Sequence, residues 1–387
     1  MTGGASAINI SIDYSFDSQN FFGSNNPQGS AGAQQARAAL EAAADFFSDL
    51  LEDTFDPIVT PDPYFSQTFN GQVTWSWNRS FLHPGTGSTV SLGGPIGQDE
   101  YLIYAGARVL SGTTLGFGGP GGFGWSSSPS GGFTSQEINE LNAITDDFAN
   151  AVETRGEPSG FSSWGGAVTF DNDPNNVWHF DHLTEPSSGQ SDFFSLALHE
   201  LAHALGFGGT EWEALVSGFS FTGSASRAEN GGVNPQVSSD RSHWAENTTS
   251  TVRGTGDIQE AAMDPNLLRG TRKLWTDLDT AGLEDIGWDI AALTAVGVAG
   301  DYNGSGSVEQ GDLNFVLNNW GLARGDWANA DGFVSPNIDQ EELNRVLNNW
   351  GASAPPNLAG AAVPEPSAGL GLAVALSGFA ALRRRRA

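Results

Sequence analysis

The 387-residue chain contains no cysteine, which excludes disulfide stapling, thiolate metal sites and cysteine nucleophiles. Any metal must therefore be held by His, Asp, Glu or backbone oxygen. Lysine is almost missing as well, with Lys273 the single example, and 16 basic residues stand against 45 acidic ones for a net charge of −29. A chain of that sign is repelled by phosphate backbones and anionic membrane surfaces, so nucleic-acid binding is disfavoured. The acidity suits either solubility outside the cell or the holding of divalent cations. The opening residues, MTGGASAINISIDYSF, have neither a basic n-region nor a long apolar h-region, so no signal peptide is read there.

What is present is apolar content of 39%, enough for a packed core, together with 51 Gly, 12 Trp and 24 Phe. That mixture predicts a loop-rich fold with aromatic anchors. INISID (8–13) alternates as a strand does. Residues 33–51 repeat Ala and Leu at helical spacing. QVTWSW (72–77), EYLIYAGARV (100–109) and GGAVTFD (165–171) read as strands, and the Gly/Ser/Pro-rich stretch 112–132 reads as surface loop. Thr134 followed by Glu137 is a capping-box pattern that opens a second helix over 134–153. A third helix is expected over 191–208 and a closing one over 276–288. Strands alternating with helices give an α/β fold class. Near residue 290 the texture changes: LNFVLNNWG (313–321) recurs as LNRVLNNWG (343–351), a duplicated module with an offset of 30 residues.

The segment HELAHALGFGG contains His199, Glu200 and His203. Residues four apart on a helix share one face, so two imidazoles can reach a single ion with Glu200 beside them. A zinc ion with an open position lowers the pKa of its water to about 7, and a neighbouring carboxylate can take the proton as water attacks a carbonyl. The spacing H-E-x-x-H is what such hydrolysis needs. Its apolar flanks bury the helix, and burying two imidazoles and a carboxylate without a ligand is costly. A third ligand is still required, and the remaining histidines are His83, His179, His182 and His243.

Gly206 extends the motif, and here the sequence resembles the metzincin clan of zinc endopeptidases, whose pattern is H-E-x-x-H-x-x-G-x-x-H. This chain departs from it at once, since Gly209 stands where the last histidine belongs. His243 in DRSHWAEN, with Met263 following in AAMDP, resembles the leishmanolysin-type variant, whose third histidine lies in a distant His-Trp element ahead of a Met-turn. That resemblance implies zinc held by His199, His203 and His243, Glu200 as general base, Met263 as a hydrophobic floor, and a polypeptide substrate. It also implies a twisted mixed sheet with an active-site helix. AVTFDNDPNNVWHFD (167–181) resembles the strand and loop ahead of that helix, where an extended substrate would pair by strand addition. Asp171, Asp173 and Asp181 there serve either a structural calcium or the turns themselves.

GDYNGSGSVEQGDL (300–313) sets Asp301, Asn303, Ser305 and Asp312 at positions 1, 3, 5 and 12 of an EF-hand-like loop, with Gly306 for the turn. With the helix that follows, it resembles a dockerin repeat, which implies bound calcium and leaves open a cohesin-like partner or a simple folded spacer. The second copy is degenerate, with Asp331 and Glu342 at positions 1 and 12 but Phe333 and Pro336 between them. Pro364, Glu365 and Pro366, an apolar run from Ala368 to Leu382 and the cluster Arg383–Arg386 together resemble a PEP-CTERM sorting signal. That implies an exosortase-type processing enzyme, transient membrane contact through the tail, and delivery outside the cell or to the envelope of a Gram-negative bacterium.

The expected organisation is a catalytic domain over 1–290, a dockerin-like module over 299–351, a linker over 352–362 and a sorting segment over 363–387. The leading function is a secreted or surface-delivered zinc metalloendopeptidase. The rival is an inactive adhesion protein on a peptidase fold, kept alive by the missing histidine at 209; a peptidase restricted to itself or one partner is a further alternative.

Overall fold

A computed structural model describes residues 8–157, 164–253 and 257–291, and in the C-terminal part 300, 308, 310–318, 320, 338 and 340–351. The chain divides into two compact units, a larger one built mainly from residues up to Val296 and a smaller one around the duplicated helices. The larger is a mixed α/β structure with several sheets.

Its elements run β1 (Asn9–Asp13), α1 (Gly29–Leu50), β2 (Tyr64–Phe65), β3 (Gln72–Leu82), β4 (Thr89–Leu92), β5 (Glu100–Arg108), β6 (Gly116–Pro120), β7 (Gly122–Ser130), α2 (Ser135–Glu153), β8 (Gly165–Asp171), β9 (Trp178–His179), β10 (Ser191–Asp192) and α3 (Phe193–Ala204). After these come α4 (Thr210–Ala214), β11 (Val216–Ser217), β12 (Ser220–Phe221), α5 (Ser224–Glu229), β13 (Thr249–Thr251), β14 (Ile258–Glu260) and α6 (Asp277–Asp285). The main sheet has the order β1-β5-β8-β6, with β1, β5 and β8 parallel and β6 antiparallel at the edge. β8 is buried along its whole length, as a central strand covered on both faces should be.

Helix α1 buries Ala33, Ala36, Ala39, Leu40, Ala43, Ala44 and Phe47, a stripe at the 3.6-residue period. Small residues on that stripe let α1 pack against α3 inside one aromatic-rich core that also takes in Phe170, Trp178, Phe193, Trp244 and Met263. A second core lies between α2 and the sheet β2-β3-β4 with β7, built on Trp75, Trp77, Phe81, Leu141, Phe148 and Trp164. The capping box opens α2: Glu137 N–H donates to Thr134 Oγ1 at 3.2 Å and Thr134 N–H donates to Glu137 Oε2 at 2.6 Å.

The stretch 112–132, expected as loop, instead forms β6 and β7. Asp171 N–H to Leu115 O and Gly121 N–H to Gly165 O, both 2.8 Å, bracket the pairing of β6 with β8. Several of the glycines that suggested a loop are there because of close packing. A Cβ on Gly118 would lie 2.0 Å from the Glu200 carbonyl oxygen, and one on Gly121 would lie 1.9 Å from the Trp164 ring. β6 is therefore pressed onto α3, and only a strand without side chains on that face can come so near.

In the smaller unit, α7 (Gln310–Asn318) and α8 (Gln340–Asn348) share a core of Val308, Val316, Ile338 and Val346, flanked by Leu313 and Leu343. Each of the first copy's three residues recurs 30 positions later, so the duplication read in the sequence is a duplication of the core. Asp301, Asn303 and Ser305, the side chain of Asp312, the linker and the segment 363–387 lie outside the described residues. No described helix is long and apolar enough to cross a membrane.

Candidate metal centre

Helix α3 carries the H-E-x-x-H residues, and its ends are fixed by side chains at the N-terminus and by a backbone turn at the C-terminus. At the N-terminus Asp192 accepts from Ser195 N–H at 3.1 Å and from Ser195 Oγ at 2.6 Å. Arg272 grips the same carboxylate through Nε (3.0 Å) and Nη2 (2.8 Å), and both side chains are buried. At the C-terminus Gly206, at φ 99°, reverses the chain. Phe207 N–H then donates to Ala202 O and Gly206 N–H to His203 O, each at 3.0 Å, the paired bonds of a Schellman turn. The helix is correspondingly shorter than the span 191–208, because residues 191–192 pair with β9 as β10.

His199 and His203 project from one face of α3, and the chain returns across the site to bring in His243. Nε2 of His203 lies 3.0 Å from Nε2 of His243 and 3.2 Å from Nε2 of His199, and the third side of the triangle is 3.2 Å. The opposite nitrogen of each ring is already engaged. His199 Nδ1 meets Ala262 O at 2.8 Å, His203 Nδ1 meets Phe207 O at 2.8 Å, and His243 Nδ1 is 3.2 Å from both oxygens of Asp240. Carbonyl and carboxylate oxygens only accept, so each Nδ1 is placed to carry a proton, and in a neutral ring the lone pair then falls on Nε2. Burial, together with repulsion from the neighbouring rings, holds the pKa of His199 well below the ordinary histidine value and that of His203 down to about 4. Both are neutral at neutral pH.

Three lone pairs in van der Waals contact repel one another unless a cation lies between them. Tetrahedral coordination with metal–nitrogen bonds of 2.0–2.1 Å would separate the nitrogens by about 3.3 Å, close to the triangle seen here. The donor set therefore fits a divalent ion. Among the described residues these three histidines form the group able to share one. His83, His179 and His182 lie elsewhere: His83 Nδ1 accepts from Gly85 N–H, His179 Nε2 sits at Thr184 O, and His182 packs at a tilt against Phe194. Asp171, Asp173 and Asp181 accept from the backbone N–H groups of Leu110, Asn175 and Leu183, so these carboxylates shape turns.

Glu200 is only 4% exposed and borders the same cleft of about 550 Å³. Burial pushes its carboxyl up to about 8, opposed by a hydrogen bond from Gly118 N–H. A cation among the imidazoles would pull that value back down. One wall of the cleft is β6 and the residues before it, and the other runs from Ala262 through Leu267. Extended substrate was expected along 167–181; the exposed edge beside the cleft is instead β6, since β8 is enclosed between β5 and β6.

Several residues that build the site escaped the sequence reading. Asp279, fully buried, takes five hydrogen bonds: from Trp244 Nε1 and Met263 N–H on one oxygen, and from Ala262 N–H, Thr276 N–H and Thr276 Oγ1 on the other. It thus ties the residue after His243 to the turn that carries the His199 acceptor. The spacing Thr276-x-x-Asp279 is a capping pattern and could have pointed to it. Lys273, the only lysine, is buried against the wall of the cleft, where Nζ binds Asp264 Oδ1 at 3.1 Å, Glu260 Oε2 at 3.0 Å and Asn266 O. Met263 is fully buried, and its carbonyl accepts from Trp244 N–H at 3.0 Å. Comparisons of the chain with protein-family models, with curated proteins and with solved structures gave no match.

Proposed function

We propose that the chain is a zinc metalloendopeptidase with a metzincin-like catalytic domain, in which His199, His203 and His243 hold the ion. The observation that carries this reading is the convergence of three unprotonated Nε2 atoms within 3.2 Å of one another beside the carboxylate of Glu200. Zinc would supply Lewis acidity, polarising the peptide carbonyl and acidifying water. Glu200 takes the proton of the attacking water on its carboxylate and returns it to the leaving amide nitrogen. Its burial favours the first half of that exchange, because a carboxylate in a dry site takes a proton more readily than one in water. The free edge of β6 binds extended polypeptide by strand addition, so cleavage falls within a chain.

The C-terminal residues complete the proposal. Asp301, Asn303, Ser305 and Asp312 bind calcium in a dockerin-like module, and the segment 363–387 is the address read by an exosortase-type enzyme during delivery to the envelope or beyond. Metal analysis of the full-length protein tests the core of the reading. One zinc per chain is expected, with hydrolysis of a peptide library abolished by a chelator and restored by zinc. Absence of a bound transition metal at saturating zinc rejects the reading. Stoichiometric zinc with no cleavage of any peptide would instead favour an adhesion protein on a peptidase fold.

A further inference from the structure

Two of the three imidazoles are oriented by backbone, and one is not. His199 and His203 each place Nδ1 on a carbonyl oxygen of a hydrogen-bonded turn, so their tautomer follows from the fold. His243 stands on an irregular loop and has no carbonyl partner on that nitrogen; it faces the carboxylate of Asp240. We propose that Asp240 is the positioning residue of the third ligand, holding His243 in the Nδ1-protonated tautomer with Nε2 turned to the ion. The inference rests on the zinc reading above for the identity of the ion, but the orientation it assigns follows from contacts within this chain.

The carboxylate is itself built into place. Ser238 Oγ donates to Asp240 Oδ1, as do Ser242 N–H and Ser242 Oγ, both at 3.0 Å. Those donors fix the carboxylate so that both of its oxygens stand 3.2 Å from His243 Nδ1. The loop between them is held from the other side: Trp212 Nε1 donates to Arg241 O at 2.7 Å, and Arg241 takes a left-handed φ of 66°. Ser238 N–H donates to His243 O at 3.0 Å, closing the loop on itself. Ser242 Oγ also lies 3.1 Å from His243 Nδ1, but a hydroxyl both donates and accepts and cannot select a tautomer, whereas a carboxylate only accepts. A carboxylate behind a ligating imidazole also raises its basicity toward the metal.

The side chain of Asp240 is 54% exposed, so its replacement removes the partner of His243 without opening the core. The test compares wild type, Asp240→Ala and Asp240→Asn as full-length proteins, with zinc affinity measured by competition against a chromophoric chelator. Asp240→Ala is expected to weaken zinc binding by about 10–100-fold, the usual effect of losing such a partner. Asp240→Asn, which keeps an oxygen acceptor without the charge, should fall between it and wild type. Imidazole nitrogen NMR on the metal-free protein supplies a second readout: His243 should be the Nδ1–H tautomer in wild type and a mixture in Asp240→Ala, with thermal stability unchanged. Wild-type zinc affinity in Asp240→Ala, or an unaltered His243 tautomer, overturns the assignment. If wild type itself binds no zinc, the metal reading fails, and the tautomer measurement still decides whether Asp240 orients His243.

Discussion

Gly208 and Ser242 are in direct contact: a Cβ on Gly208 would stand 2.7 Å from both the carbonyl oxygen and the Cβ of Ser242. The two residues belong to the turn after α3 and to the loop that delivers His243. Where the metzincin pattern would place a histidine at 209, this chain keeps two glycines. The missing side chain at Gly208 leaves the space that Ser242 occupies, whereas a Cβ on Gly209 would meet the Gly206 backbone. Gly208 also lies at φ 77°, a conformation that glycine adopts without strain. The turn after α3 and the arrival of the His243 loop are thus coupled through Gly208.

His243→Ala and Glu200→Gln should fail in different ways. Removing the imidazole deletes one of three nitrogens and leaves two neutral rings from α3, so zinc affinity and hydrolysis should both fall steeply. Glu200→Gln keeps the donor set and removes only the proton acceptor. It should bind zinc like wild type while losing hydrolysis by about 10²–10⁴-fold, the usual range for a general base. Chelator competition and a fluorogenic peptide assay read the two effects separately. Equal zinc loss in both variants would reject the division of labour.

Much of this architecture was legible because it depends on local chemistry. The helix spacing of His199 and His203, the Thr134–Glu137 cap and the repeated apolar positions of α7 and α8 are all contained within a few consecutive residues. What was not legible depends on neighbours distant in sequence. β6 reads as loop because Gly116 and Gly118 are dictated by Glu200, more than 80 positions away, and Gly121 just after it by Trp164. Asp240 and Asp279 look like ordinary surface and helix-start acids until the fold places imidazole and backbone donors around them. The resemblance to a His-Trp element chose His243 from four candidates, and the structure brings that residue, and none of the other three, to the helix pair.

Gly118→Ala tests the contact between β6 and α3. The added methyl would meet the Glu200 backbone, with its carbonyl carbon at 2.8 Å and Cα at 3.0 Å, so no rotamer change relieves it. The strand must shift away, taking with it the N–H that binds the Glu200 carboxylate. A destabilisation of about 1–3 kcal/mol is expected from the overpacking, with a loss of hydrolysis larger than the loss of folded protein. By contrast the methyl of Gly119→Ala meets nothing within 4 Å, so that variant should unfold as wild type does. A silent Gly118→Ala would show that β6 does not sit on the helix as described.

Asp279→Ala should be the most damaging single change near the site, although Asp279 touches no imidazole. Its two oxygens accept five hydrogen bonds from Trp244, Ala262, Met263 and Thr276, all in a region closed to solvent. Truncation leaves those donors without an acceptor, and each unsatisfied buried donor costs about 1–3 kcal/mol. Some will find water in the space left by the carboxylate, so a net loss of about 3 kcal/mol or more is expected in denaturant unfolding. The damage should also be directional. Ala262 N–H is anchored by Asp279 and Ala262 O receives His199 Nδ1, so a loosened turn disturbs the proton-bearing side of the first ligand. Trp244 follows His243 directly, and losing its anchor loosens the third ligand as well. Zinc affinity should therefore fall even under conditions where the variant remains folded by circular dichroism. Asp279→Asn gives the sharper comparison: its amide oxygen can still accept from Trp244 and Met263 or from Ala262 and Thr276, but not from both sets, so its stability should lie between wild type and Asp279→Ala. Wild-type unfolding and wild-type zinc affinity in Asp279→Ala would show that the turn is held by packing alone.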